Sequence, residues 1–256
     1  MLPDLVNPKE KTYLAIAIIA SAFVYLILLV SLIGIFYVLI GAFALAVVQG
    51  IAIGQLRGNS VRVSAQQFPG VLAMAAEICP RLGIASVPPI YIMQSGGVLN
   101  AFATRFFGRN YICIYSEILE LAYDQGQEAV AFVLAHELTH VARNHVWWKT
   151  VIFPAQFVPF LAAAYSRACE YTCDAYGAYL HPDGAEAGIL VLAAGKRLYR
   201  EMNVDAYLAQ AQEPEGFWMW LAEHLSTHPN LPKRMLQVRR LRATRNIQPA
   251  AAVRAF

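Results

Sequence analysis

The sequence predicts a mainly α (α+β) protein: an N-terminal transmembrane helical hairpin followed by a mostly helical domain with a small antiparallel sheet. Three observations predict it. No residue from Thr12 to Ile53 is charged, three short β-branched and aromatic runs between Ile90 and Tyr115 are separated by turn-forming residues, and nearly everything after Ser116 has helix-forming composition. The chain has 256 residues, of which 58% are hydrophobic and only 14% charged. That is too apolar for an ordinary soluble domain, where about a quarter of residues are charged.

As one helix the uncharged run would extend about 63 Å at about 1.5 Å per residue, roughly twice the hydrocarbon thickness of a bilayer. Two crossings fit and one does not. Ser31 to Gly34 is the expected turn, which gives helices near 12–31 and 34–53 and an anchor over residues 1–57. A cleaved signal peptide is disfavoured, because the apolar region is too long and lacks an early small-residue cleavage site. Lys9 and Lys11 precede the hairpin, Arg57 and Arg62 follow it, and its turn is uncharged. Positive residues stay in the cytoplasm. A multi-pass protein of the cytoplasmic (inner) membrane follows, with residues 58–256 as a domain facing the cytoplasm. The cysteines Cys79, Cys113, Cys169 and Cys173 show no disulfide framework and suit a reducing compartment.

Beyond the anchor, Gly58 to Val63 reads as a linker and Ala65 to Leu82 as a helix interrupted early by Pro69-Gly70. Ile90 to Met93, Val98 to Thr104 and Tyr111 to Tyr115 are the expected strands. Val146 to Tyr165 is apolar and long enough to suggest a further span, but it holds Lys149, Pro154, Gln156 and Pro159. It is expected to pack against the anchor or dip into the interface, with Trp147 and Trp148 at headgroup depth; a short re-entrant pair is the rival. Lys233, Arg234, Arg239, Arg240, Arg242 and Arg245 crowd the C-terminal helix. On a membrane protein they suggest contact with anionic headgroups, or solubility. No nucleic-acid partner is expected, since no recognised motif or aromatic stripe accompanies these charges.

His136-Glu137-Leu138-Thr139-His140 carries the chemistry. Residues four apart on a helix share a face, so both imidazoles can reach one metal ion, and Glu137 can reach a water beside it. The preceding residues, Glu128 to Ala135, are helix formers, with Asp124 as the expected N-cap and Gln127 three positions on. Catalytic zinc usually takes three protein ligands and leaves one position open. Glu170 is the candidate third ligand, for one Zn2+ per chain. Asp174, one turn further, is the carboxylate that would orient a ligating histidine through its other ring nitrogen. The competing reading makes Arg167, Glu170 and Asp174 a solvated, salt-bridged helix face. Cys169 and Cys173 read as small core residues, His145 as a helix-end or surface residue, and His181 and His224 as loop and helix-face residues.

Leu99-Asn100-Ala101-Phe102-Ala103, His136 to His140, Ser166 to Asp174, and Ser226-Thr227-His228-Pro229 followed by Arg234 together resemble the HtpX-like family of membrane zinc metallopeptidases. That family includes the CAAX-processing zinc endopeptidase. The resemblance spans about Pro88 to Leu241 and implies a zincin-type metallopeptidase domain. It implies that His136, His140 and Glu170 hold zinc and that Glu137 is the general base. It also implies that the strand bearing Asn100, Ala101 and Phe102 binds substrate backbone, and that His228 lies near the metal and steadies the developing oxyanion. The chain departs from the HtpX pattern between the zinc motifs, where it has about 20 apolar residues instead of two clear spans. The expected function is endoproteolysis of extended or misfolded membrane polypeptides. Two alternatives stay open: a membrane-bound binding or regulatory protein with a structural metal, and a zinc hydrolase of a non-peptide substrate. Oligomeric state is not legible.

Overall fold

The computed structural model describes residues 2–94, 101–125, 127–213 and 216–245. Helices α1 (Pro8–Val30) and α2 (Leu32–Asn59) form the hairpin, and both are long and apolar enough to cross a membrane. Asn7 caps α1 by accepting from the Lys9 N–H, and Pro8 occupies the first turn, where a missing N–H costs nothing. The break between the helices is tighter than the sequence suggests. Only Ser31 lies between them, and its hydroxyl accepts from the Gly34 N–H at 3.2 Å. A Cβ at Gly34 would lie 2.1 Å from the Leu28 carbonyl oxygen, so the close approach requires glycine.

Helix α2 has 28 residues. At about 1.5 Å per residue it is about 42 Å long and outruns a hydrocarbon core of about 30 Å. Its last turns pack on the sheet, where Ile53 and Leu56 are buried against Tyr91, Tyr111 and Cys113.

That sheet contains β1 (Val61–Arg62), β2 (Ile90–Met93), β3 (Ala101–Phe106) and β4 (Arg109–Tyr115), in the order β1-β2-β4-β3. The hairpin β3–β4 is antiparallel, but β2 runs parallel to β4, with Ile90 opposite Ile112 and Ile92 opposite Ile114. The sheet is therefore mixed, not purely antiparallel, because β4 returns between β2 and the outer strand β3. The linker also contributes a strand: β1 pairs antiparallel with β2 but is only two residues long, too short for a readable alternation. Ile90, Ile92, Ile112 and Ile114 face the helical core, while Tyr91, Tyr111 and Cys113 face α2. Burial on both faces explains why these strands read as continuous apolar runs.

The helices after α2 are α3 (Pro69–Arg81), α4 (Ser116–Gln125), α5 (Glu128–Ala142), α6 (His145–Val151), α7 (Leu161–Leu180), α8 (Pro182–Leu198), α9 (Val204–Ala209), α10 (Phe217–Leu225) and α11 (Leu231–Arg245). Helix α5 is central and packs against α3, α7, α8 and the sheet. Its Val130, Leu134 and Leu138 are fully buried, and each contributes about 1.5–3 kcal/mol by leaving water. Asp124 is not its cap: that residue belongs to α4, and Gln127 precedes α5 without a side-chain hydrogen bond. Packing, not capping, fixes this helix. At its start α8 comes so close that a Cβ on Gly184 would lie 1.9 Å from the Glu128 carbonyl oxygen.

Residues 146–165 do not form one helix. They comprise most of α6, a 3-10 turn over Phe153–Phe157 and the start of α7. Ile152, Ala155 and Tyr165 bury against Ala17, so the segment packs on α1. Trp147 is exposed, whereas Trp148 packs against that same cluster. The basic residues of α11 are largely engaged within the domain: Lys233 pairs with Glu223, Arg234 is buried, and Arg239 and Arg242 pair with Glu186. Much of the apparent headgroup-binding patch is thus structural.

Candidate metal centre

Helix α5 presents His136 and His140 one turn apart, and α7 crosses it to bring Glu170 beneath both. His136 Nε2 lies 3.4 Å from one Glu170 carboxylate oxygen and His140 Nε2 lies 3.3 Å from the other. Donor atoms at about 2.0–2.1 Å from a tetrahedral ion are separated by about 3.3–3.4 Å. The spacing therefore fits a zinc-sized ion. Glu137 lines the same cleft, which measures about 250 Å³ and is open to solvent on one side.

The outer contacts leave the Nε2 atoms for a ligand. His136 Nδ1 faces Asp174 Oδ1 at 3.0 Å. Asp174 in turn receives two hydrogen bonds from the Arg234 guanidinium, both 2.7 Å, and both residues are buried. Arg234 also approaches Glu170 at 3.6 Å. The salt-bridged surface reading of this face of α7 is excluded, since Glu170 and Asp174 are 3% and 0% exposed. Arg167 makes no ion pair with them. It donates to the carbonyls of Glu223, His224 and Ser226 at 2.8–2.9 Å, clamping the turn that carries His228.

Electrostatics favour a cation at this point. Burial alone would raise the Glu170 pKa, but hydrogen bonds from His136 and His140 hold it well below the usual carboxylate range. Burial opposes protonation of His136, yet Asp174 and Glu170 together lift it to about 10. Burial pushes the Glu137 carboxyl up to about 7, with His136 pulling against it and the Glu170 charge adding to it. A carboxylate poised near neutrality suits proton transfer. Cys173 completes a possible donor cluster with His136 and His140, a role that its position beside Glu170 raises in sequence but that ranks there below a small core residue. Burial, reinforced by the Glu170 charge, pushes its thiol well above the ordinary range, whereas the Glu170 carboxylate is already ionised.

The remaining expected residues divide. His228 is exposed, lines the cleft and places Nε2 3.7 Å from Glu170, held by Thr227 at 3.0 Å. Ala101 and Phe102 lie on the outer strand β3 and line the cleft. Asn100 falls outside the described residues. His145 is not a surface residue: it is 1% exposed and its Nδ1 lies 2.9 Å from His140 Nδ1. A left-handed turn at Asn144 (φ 54°) ends α5 and swings His145 back toward the site. Among the remaining histidines, His181 follows α7 near Glu128 and His224 stacks on Trp220.

Removing Asp174 has two consequences. If the site holds zinc, Asp174→Ala should weaken its affinity by about 10–100-fold by freeing His136. It also leaves the buried Arg234 with only its longer, 3.6 Å approach to Glu170, at a cost of up to about 3–5 kcal/mol, so the variant should melt at a visibly lower temperature. A zinc titration and thermal melt equal to wild type would remove Asp174 from the site.

Two imidazoles and a carboxylate converging beneath an open cleft, with a further carboxylate in its wall, are the parts of a metallopeptidase site. The chain belongs to peptidase family M48, whose model matches residues 65–153 and 146–242. The resemblance to HtpX-like zinc metallopeptidases, drawn from four short motifs, is thereby borne out. The crystal structure of Ste24p from S. mikatae is similar, with a TM-score of 0.49 and 14% identity over 85% of this chain. This chain covers 61% of that one. No functionally curated protein matches the sequence.

Proposed function

We propose that this protein is a membrane-anchored, zinc-dependent endopeptidase. The observation that supports it best is the convergence of His136, His140 and Glu170 under a cleft whose wall contains Glu137. In this reading those three residues hold one Zn2+. When bound, zinc acidifies a water toward neutral pKa and polarises the carbonyl to be attacked. Glu137 would take a proton from the attacking water and deliver it to the leaving amine. His228, on the solvent side of Glu170, donates to the developing oxyanion. Asp174 and Arg234 fix the orientation of His136 from behind.

Substrate enters as an extended segment along β3, with Asn100, Ala101 and Phe102 contacting its backbone. An outer strand recognises main chain, so unfolded or extended polypeptides are favoured over compact ones. The open cleft favours catalysis over a purely structural metal, which would leave Glu137 without a task. Full-length protein in detergent is therefore expected to cleave an unfolded polypeptide, to spare the same polypeptide when folded, and to leave small esters intact. Ester hydrolysis without peptide cleavage would overturn the peptidase assignment.

Residues 1–57 act as the anchor and residues 58–256 as the peptidase domain on the cytoplasmic face of the inner membrane. The exposed Lys9 and Lys11 at one end of the hairpin and Arg57 at the other set this orientation. Ser31→Cys should react with an impermeant thiol reagent on whole cells, and Gly58→Cys only after the cells are opened. The native cysteines are all buried, so they give little background. Labelling of Gly58→Cys on intact cells would reverse the orientation.

A further inference from the structure

We propose that the first membrane helix supplies a positioning residue to the metal site: Glu10, acting through His145, holds His140 in its ligating orientation. The proposal rests on the metal-site reading above and extends it to the anchor, which that reading treats only as a tether.

Glu10 is in the first turn of α1, yet it is 3% exposed. A carboxylate buried at the start of an apolar helix is costly unless it is paired. Its partners all belong to the domain. Arg143 donates to it at 3.1 Å, the Thr172 hydroxyl donates to it, and His145 Nε2 lies 3.3 Å away. The backbone N–H of Asn7 also donates to Thr172 Oγ1 at 3.0 Å, which pins the start of α1 to α7. His145 then touches His140, Nδ1 to Nδ1, at 2.9 Å.

The protons along this chain have one consistent arrangement. A histidine that ligates through Nε2 carries its proton on Nδ1. His140 Nδ1–H therefore donates to His145 Nδ1, which must be bare. The Cys173 thiol, 3.7 Å from the same nitrogen, is a second donor toward it. A neutral imidazole bare at Nδ1 carries its proton on Nε2. That Nε2–H is buried, has no hydrogen-bond partner among the described residues, and lies 3.3 Å from a Glu10 carboxylate oxygen. Removing the Glu10 carboxylate takes away the negative charge that favours a proton on this nitrogen and the group against which the ring rests. Asp174 and Arg234 serve His136 from α7 and α11; Glu10 and Arg143 serve His140 through His145, from α1 and the end of α5.

The test is a double-mutant cycle on zinc affinity, read by competition with a chromophoric chelator on full-length protein in detergent. His145→Ala should weaken zinc by about 10–100-fold, and Glu10→Ala by about tenfold. The double variant should match His145→Ala alone, because Glu10 then has nothing to act through. An equal loss from Glu10→Ala in both backgrounds, or no loss in the wild type, overturns the proposal. If Glu10→Ala does not fold, Glu10→Gln keeps the size and one acceptor oxygen. It is expected to show a smaller loss, again absent in the His145→Ala background, and a displaced d–d spectrum when cobalt replaces zinc. Glu10, His145 and Cys169 also lie close enough to hold an ion themselves. A fall from two bound ions to one in Glu10→Ala would make Glu10 a ligand and likewise overturn its positioning role. Failure of the underlying reading shows separately, as zinc retained in His136→Ala or cleavage retained in Glu137→Gln.

Discussion

Glu137→Gln should bind one zinc ion per chain and lose peptide cleavage by at least a factor of about a hundred. Glutamine fills the same volume and keeps a carbonyl oxygen toward the cleft, so the ligands and the packing of α5 are undisturbed. Only the ability to take and return a proton is lost. No hydrogen bond to Glu137 is needed to hold His136, His140 or Glu170, whose contacts are with one another and with Asp174, Arg234 and His145. Zinc content by elemental analysis and cleavage of an unfolded polypeptide on the same sample separate the two effects. Equal cleavage by the variant and the wild type would show that Glu137 is not the base.

His136→Ala should abolish both stoichiometric zinc and cleavage. Two of three donors cannot hold a catalytic ion tightly, and the loss reaches further. Asp174 keeps Arg234 but loses its imidazole, and Glu170 keeps His140 at 3.3 Å, with Arg234 at 3.6 Å and His228 at 3.7 Å. Glu170→Gln should have the same phenotype from the other side, since it removes the charge on which both imidazoles converge. Full zinc occupancy in either variant, measured by elemental analysis after gel filtration, would contradict the ligand set.

Much of this site is legible in sequence, for a local reason. His136 and His140 are four apart and Glu170 and Asp174 are four apart, so each pair is fixed by helical geometry alone. The hairpin is legible because an uncharged apolar run about twice as long as one membrane crossing must fold back on itself to stay in lipid. What escapes is set by tertiary contact. His145 is five residues after His140, which on a continuous helix would point away; the left-handed Asn144 turns it back. Glu10 reads as an ordinary first-turn acid until α1 is packed against α7. Arg234 sits in a basic run that looks solvated, and its burial depends on α11 folding over Asp174. The parallel pairing of β2 and β4 was hidden for a similar reason: strand runs in sequence order suggest hairpins, and nothing local states that β4 inserts between its neighbours.

The central claim is that His136, His140 and Glu170 hold the metal in a cleft that also contains Glu137. Anomalous diffraction from crystals of the zinc-loaded protein, collected on either side of the zinc edge, tests it most directly. One peak is expected, about 2.0–2.2 Å from the Nε2 atoms of His136 and His140 and from a Glu170 oxygen. A peak bound instead by Cys173, a peak confined to Glu10, His145 and Cys169, or no peak at all would contradict it.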